Sequence, residues 1–163
     1  MKHALLLLLL ISTFRSYGQE EWDTWDQKYQ LKDYSMLIQS ELNYADKVEH
    51  NPAEVQYYCR RGGYRFVGEY LGKSRPMDTL ILASMKRVLK LTGAELPFAE
   101  KMNEFLFEID GKEVWAPIQP QLEDTFKKEN KKRRKVTLYC SFFNEHSKDK
   151  KLYNTLLISA FHK

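Results

Sequence analysis

The sequence predicts an α+β fold, with an antiparallel layer of about three helices followed by a small antiparallel sheet. Three observations carry this prediction. Apolar residues recur at helical spacing up to about residue 95 and alternate at a spacing of two beyond Leu96-Pro97. Asp110-Gly111, a strong tight-turn signal, stands between two alternating segments. Ten Tyr, nine Phe and three Trp against seven Gly and five Pro make a chain that buries a core, which argues against disorder.

The chain opens with the pattern of an export signal. Met1-Lys2-His3 gives a short positive start, Ala4 to Ile11 is unbroken apolar sequence, and Ser16-Tyr17-Gly18 supplies small residues before a cut at Gln19. The apolar run is too short for a permanent membrane helix. No later stretch is long enough either, so no permanent membrane span is expected. The expected organisation is a signal peptide over 1–18, a helical region over 19–95 and a β region over 96–163, the last two able to share one domain. The expected location is the periplasm, the cell surface or the medium.

The first helix is expected from Trp22 to about Glu49, with Trp22, Trp25, Tyr29, Leu37, Ile38 and Leu42 on its buried side. A second helix is expected from Asn51, a favoured N-cap followed by Pro52 and by Glu54 at the capping-box position. Val55, Cys59, Phe66, Tyr70 and Leu71 can share a face of it, and Gly72 ends it. Gly62-Gly63 weakens its middle by roughly 1 kcal/mol per glycine. The third helix is expected from Ser74 to Thr92-Gly93, burying Leu80, Ile81, Ser84, Val88 and Leu91.

Beyond residue 96 the expected order is ββαββ. Phe105, Phe107 and Ile109 alternate into the Asp110-Gly111 turn, and Val114, Trp115 and Ile118 return, with Pro117 marking an edge or an end. Pro120 to Glu129 suits a helix burying Leu122 and Phe126. Val136, Leu138, Cys140 and Phe142, then Leu156, Ile158 and Ala160, line two further strands. This order fits a curved sheet or a partly open barrel of SH3-like or OB-like size.

Removing residues 1–18 from the 163 leaves 145, and takes Lys2 and Arg15 from the 26 basic residues while leaving all 22 acids. The balance becomes 24 against 22, which weakens a general affinity for polyanions. In an exported chain Cys59 and Cys140 are expected to form a disulfide, closing a loop of about 80 residues worth on the order of 4 kcal/mol. Two separate buried thiols are the alternative.

Little catalytic chemistry is visible. His50, His146 and His162 lack a second metal ligand at a useful spacing, so no metal or cofactor is expected. Serine-hydrolase and phosphate-loop signatures are absent. Cys140 with His146, or Glu108 with Asp110, are the only nameable nucleophile or acid/base pairs, and core, loop and hairpin roles explain them more simply.

Two features point to binding. Lys131, Lys132, Arg133, Arg134 and Lys135, preceded by Lys127 and Lys128, form a dense basic run suited to lipid headgroups or an acidic polymer. A solvated loop protecting the next strand from edge pairing is the bland reading. Arg61 and Arg65, one turn apart on the expected second helix, suit a carboxylate or phosphate clamp among tyrosines. An Arg65–Glu69 salt bridge is the simpler account of one of them. The expected function is therefore a non-catalytic binding protein whose partner is an anionic envelope component or another envelope protein. A small secreted hydrolase and a structural or assembly component of the envelope are the alternatives. Nucleic acid is a poor partner for an exported chain without a stacking motif.

Overall fold

The computed structural model describes residues 22–51, 58–95, 98–146 and 152–163. The expected leader with its cut at Gly18–Gln19, the Pro52 and Glu54 cap signals and the Leu96-Pro97 boundary lie outside these residues. The fold is mixed α+β, with four helices and a six-stranded sheet. Helix α1 covers residues 22–28 and β1 is Gln30–Leu31, followed by α2 (Tyr34–His50), β2 (Tyr58–Pro76) and α3 (Thr79–Leu91). A 3-10 turn (Ala99–Lys101) leads into β3 (Asn103–Ile109), β4 (Lys112–Ile118), α4 (Pro120–Glu129), β5 (Lys135–His146) and β6 (Leu152–His162).

The expected second helix is instead strand β2. The reason lies in its alternation. Tyr64, Phe66 and Tyr70 point into the core at a spacing of two, while Arg61, Gly63, Arg65, Val67 and Glu69 fall on the other face. Aromatic residues favour a pleated surface, and Gly62-Gly63 disfavours a helix. Asn51 is the C-cap of α2. The helical layer of three is thus replaced by two helices flanking a 19-residue strand.

The strand β2 also changes the sheet. Its first part pairs with β5, from Tyr58↔His146 to Glu69↔Lys135, and its second part pairs with β3, from Glu69↔Glu108 to Pro76↔Asn103. The strand order is β1-β2-β3-β4-β6-β5, and the β2–β5 pairing brings β2 through β6 into a closed ring. Strand β1 adds in parallel to β2, and β4 meets β6 in parallel at Ile118↔Ile158. The sheet is therefore not the separate ββαββ unit expected after residue 96, because β1 and β2 belong to it.

Two helix starts differ from expectation for local reasons. The first helix is interrupted by β1 and restarts where the Asp33 carboxylate accepts the Met36 N–H at 2.7 Å. The third starts at Thr79 rather than Ser74, because Ser74 to Pro76 remain paired with β3. The Asp78 carboxylate accepts from Leu80 and Ile81 at 2.8 and 3.1 Å. Helix α4 starts at Pro120 as expected and inserts a fully buried Phe126 into the ring interior. The Phe126 ring lies 5.2 Å from those of Tyr70 and Phe105 and 5.0 Å from that of Phe161, edge to face. Leu37 of α2 joins the same core. Helix α3 packs Met85, Val88 and Leu89 on Phe143 and Leu157 outside the ring, and Trp22 and Trp25 of α1 pack with the following Tyr29 around Tyr139.

Candidate functional site

The basic run occupies the end of α4, the connection to β5 and the first residue of β5. Asn130 closes the helix, with its backbone N–H and side-chain amide both donating to the Phe126 carbonyl, at 2.8 and 3.2 Å. The following loop is tied to β2. The Arg133 N–H donates to the Tyr70 carbonyl at 2.7 Å, and the Tyr70 N–H donates to the Arg134 carbonyl at 3.0 Å. Arg133 adopts φ 66°, and its guanidinium meets Glu69 at 3.0 Å. Gly72, at φ 76°, leaves room for the Lys132 stem; a Cβ there would stand 3.0 Å from Lys132 Cγ. Lys131 to Lys135 are all exposed.

The charges of this loop are largely uncompensated. Lys127 pairs with Glu123 at 2.5 Å and Arg133 pairs with Glu69, but Lys128, Lys131, Lys132, Arg134 and Lys135 pair with no carboxylate among the described residues. Burial alone would raise the Glu123 carboxyl, but hydrogen bonds from Lys127 and Asn103 outweigh it and hold it below its ordinary value. Lys131, Lys132 and Arg134 thus stand unpaired on a connection that two backbone bonds to Tyr70 fix, with Lys128 at the end of α4 and Lys135 at the start of β5 beside it.

Arg61 and Arg65 do not form the expected clamp. They share the outer face of β2 with Gly63 between them, so they stand about 13 Å apart along the strand. Arg65 is taken up by Asp26 of α1 at 2.7 Å, and Asp26 also accepts the Tyr139 hydroxyl at 2.7 Å. The expected Arg65–Glu69 bridge is replaced by the pairs Arg65–Asp26 and Glu69–Arg133. Arg60, on the inner face, pairs with the buried Glu41 of α2. Arg61 stays exposed, its guanidinium 5.6 Å from the Phe143 ring centre. It borders a groove of about 350 Å³ whose other walls are Lys28, Tyr29, Gly62, Gly63 and Ser141.

The two cysteines are not bonded. Cys140 faces the ring interior, fully buried, whereas Cys59 lies on the opposite side of the sheet beside the α3 cluster. Cys140 is level with Tyr64 on β2, five residues from Cys59, which is about 17 Å along the strand. A disulfide needs Cα atoms within about 7 Å. Burial pushes the Cys140 thiol up, and burial followed by the Glu145 charge does the same for Cys59. Neither is disposed to act as a thiolate.

The nameable catalytic pairs do not assemble. His146 lies six residues beyond Cys140 on β5, and its Nε2 is 2.9 Å from Glu49 of α2. Asp110 holds the tight turn at φ 50° and accepts the Tyr34 N–H at 2.6 Å, while Glu108 is exposed beside Glu69 and Glu113 in register. Among the described residues no three His, Cys, Asp or Glu side chains form a metal-ligand group. No helix among them is long and apolar enough to cross a membrane.

The basic loop was visible as charge alone, but its attachment through Tyr70 and Gly72 had no sequence signal. The groove was missed because it joins Lys28, Arg61 and Ser141 from three distant segments. The chain matches no protein-family model, no curated protein and no solved structure.

Proposed function

We propose that this is an exported, non-catalytic binding protein whose α4–β5 loop docks on an anionic component of the cell envelope. One observation carries the reading: five unpaired cations cluster at the α4–β5 connection, three of them on a loop that backbone hydrogen bonds to Tyr70 already hold in shape. A preorganised loop loses little conformational entropy on binding, so the electrostatic gain is retained. Helix α4 contributes the buried Phe126 to the core that the ring encloses, and the strand order resembles that of OB-type barrels. That likeness supports an architecture suited to presenting loops and carries no function by itself.

The test is co-sedimentation with neutral vesicles, with vesicles containing anionic lipid, and with an acidic polysaccharide gel. Retention by the charged partners only, lost as salt rises, is the expected result. Equal retention by neutral vesicles, or none by any partner, counts against the proposal.

A further inference from the structure

The groove beside α1 is separate from the basic loop. Ser141 lies six residues along β5 from Lys135, about 20 Å, and α1 packs on Tyr139 between them. Its volume, about 350 Å³, is at the small end for ligand sites. Its two cations approach from different elements, Lys28 from the end of α1 and Arg61 from β2.

Neither cation is paired with a carboxylate among the described residues. Lys28 Nζ is 5.9 and 5.8 Å from the ring centres of Trp25 and Tyr29, and Arg61 rests near Phe143. Asp26, on the same helix as Lys28, is already engaged by Arg65 and Tyr139. Aromatic faces thus hold both cations while leaving their charge unneutralised. The floor between them is bare backbone. A Cβ at Gly63 would come within 3.3 Å of the Tyr29 ring, so glycine lets the helix sit close without filling the groove. Ser141 adds a hydroxyl, 3.3 Å from that of Ser159, at the cleft wall.

We infer that this groove binds the anionic group of a small acidic molecule, with Lys28 and Arg61 supplying the charge and Ser141 a hydrogen bond. The chemistry is that of a carboxylate, sulfate or phosphate on a body about the size of one sugar ring. Two cations and a hydroxyl lining one groove match an oxyanion's several acceptor oxygens, and a neutral analogue offers them nothing comparable.

The experiment is amide NMR of the ¹⁵N-labelled chain titrated with a hexuronate, a hexose phosphate and a hexose sulfate, with the parent hexose as control. Saturable shifts at Gly62, Gly63 and Ser141 with at least one acid, and none with the hexose, are expected. The K28Q/R61Q variant should bind that acid at least tenfold more weakly, and S141A should bind it a few-fold more weakly. K131Q/K132Q/R134Q/K135Q should bind as the parent does, which keeps this site distinct from the loop. Absence of groove shifts with all three acids, equal shifts with the neutral hexose, or undiminished binding by both K28Q/R61Q and S141A would overturn the inference.

Discussion

The backbone N–H of Arg133 donates to the carbonyl of Tyr70 at 2.7 Å, and Tyr70 returns its own N–H to Arg134 at 3.0 Å. The most basic stretch of the chain is thereby fastened to the strand that closes the ring. The shape of the loop is then a consequence of barrel packing, since Tyr70 also touches the rings of Phe105, Phe107 and Phe126.

Gly72 should be a sensitive position for the shape of the loop. At φ 76° a side chain is strained by roughly 1–2 kcal/mol, and its Cβ would press on the Lys132 stem. G72V is expected to lower stability by about that amount or more in urea melts and to weaken anion binding. Unchanged binding in a folded G72V protein would uncouple this turn from the loop.

Phe126 plugs the ring and is fully buried among four aromatic rings. F126A should cost about 3–5 kcal/mol by chemical denaturation. A loss below 1 kcal/mol would mean that α4 does not seal the core.

The cysteines should behave independently. Reductant should leave the melting temperature unchanged, and the intact mass should carry both thiol hydrogens. In the native protein only Cys59 should react with a thiol reagent, and slowly, because its thiol is held up. C140S should cost about 1–3 kcal/mol for a hydroxyl placed in an apolar core, and C59S should cost less. A mass short by two hydrogens would contradict the register that separates the two residues.

Burial, reinforced by the hydrogen bond to Asp26 and its charge, pushes the Tyr139 hydroxyl above its ordinary value. A raised value favours the protonated native state. The stability this contributes is complete below the unfolded tyrosine value near pH 10 and is lost as pH rises beyond it, by about 1.4 kcal/mol per pH unit. Burial alone raises Tyr34, and burial raises Tyr70 against the opposing charge of Lys127. Tyrosinate absorbance should therefore show a late group that titrates only as the protein unfolds, and Y139F should show a shallower alkaline fall in stability. Titration of every tyrosine near pH 10 in the folded protein would contradict the packing of α1.

What the sequence made legible was local. Asp110-Gly111 announced the β3–β4 turn, Pro120 announced α4, and the alternation of Leu138, Cys140 and Phe142 announced the inner face of β5. Strand β2 was hidden because Cys59, Phe66 and Tyr70 also satisfy helical spacing, while the partner that decides between the periods, β5, begins 59 residues after Pro76. Misreading β2 also misplaced Arg61 and Arg65, since four positions are one turn on a helix but about 13 Å on a strand. The basic run was legible as composition. Its fixed shape depends on Tyr70 and Gly72, which nothing in the run itself identifies.

The most direct test of the loop's role is the salt dependence of binding to vesicles containing anionic lipid and to an acidic polysaccharide. The parent protein is compared with K131Q/K132Q/R134Q/K135Q, after circular dichroism and melting show the same fold. The variant is expected to lose at least tenfold in affinity for the partner the parent binds, with a flatter slope against salt concentration. Equal affinity and equal slope for the two proteins would contradict it, and would leave the basic loop as no more than a solvated connection.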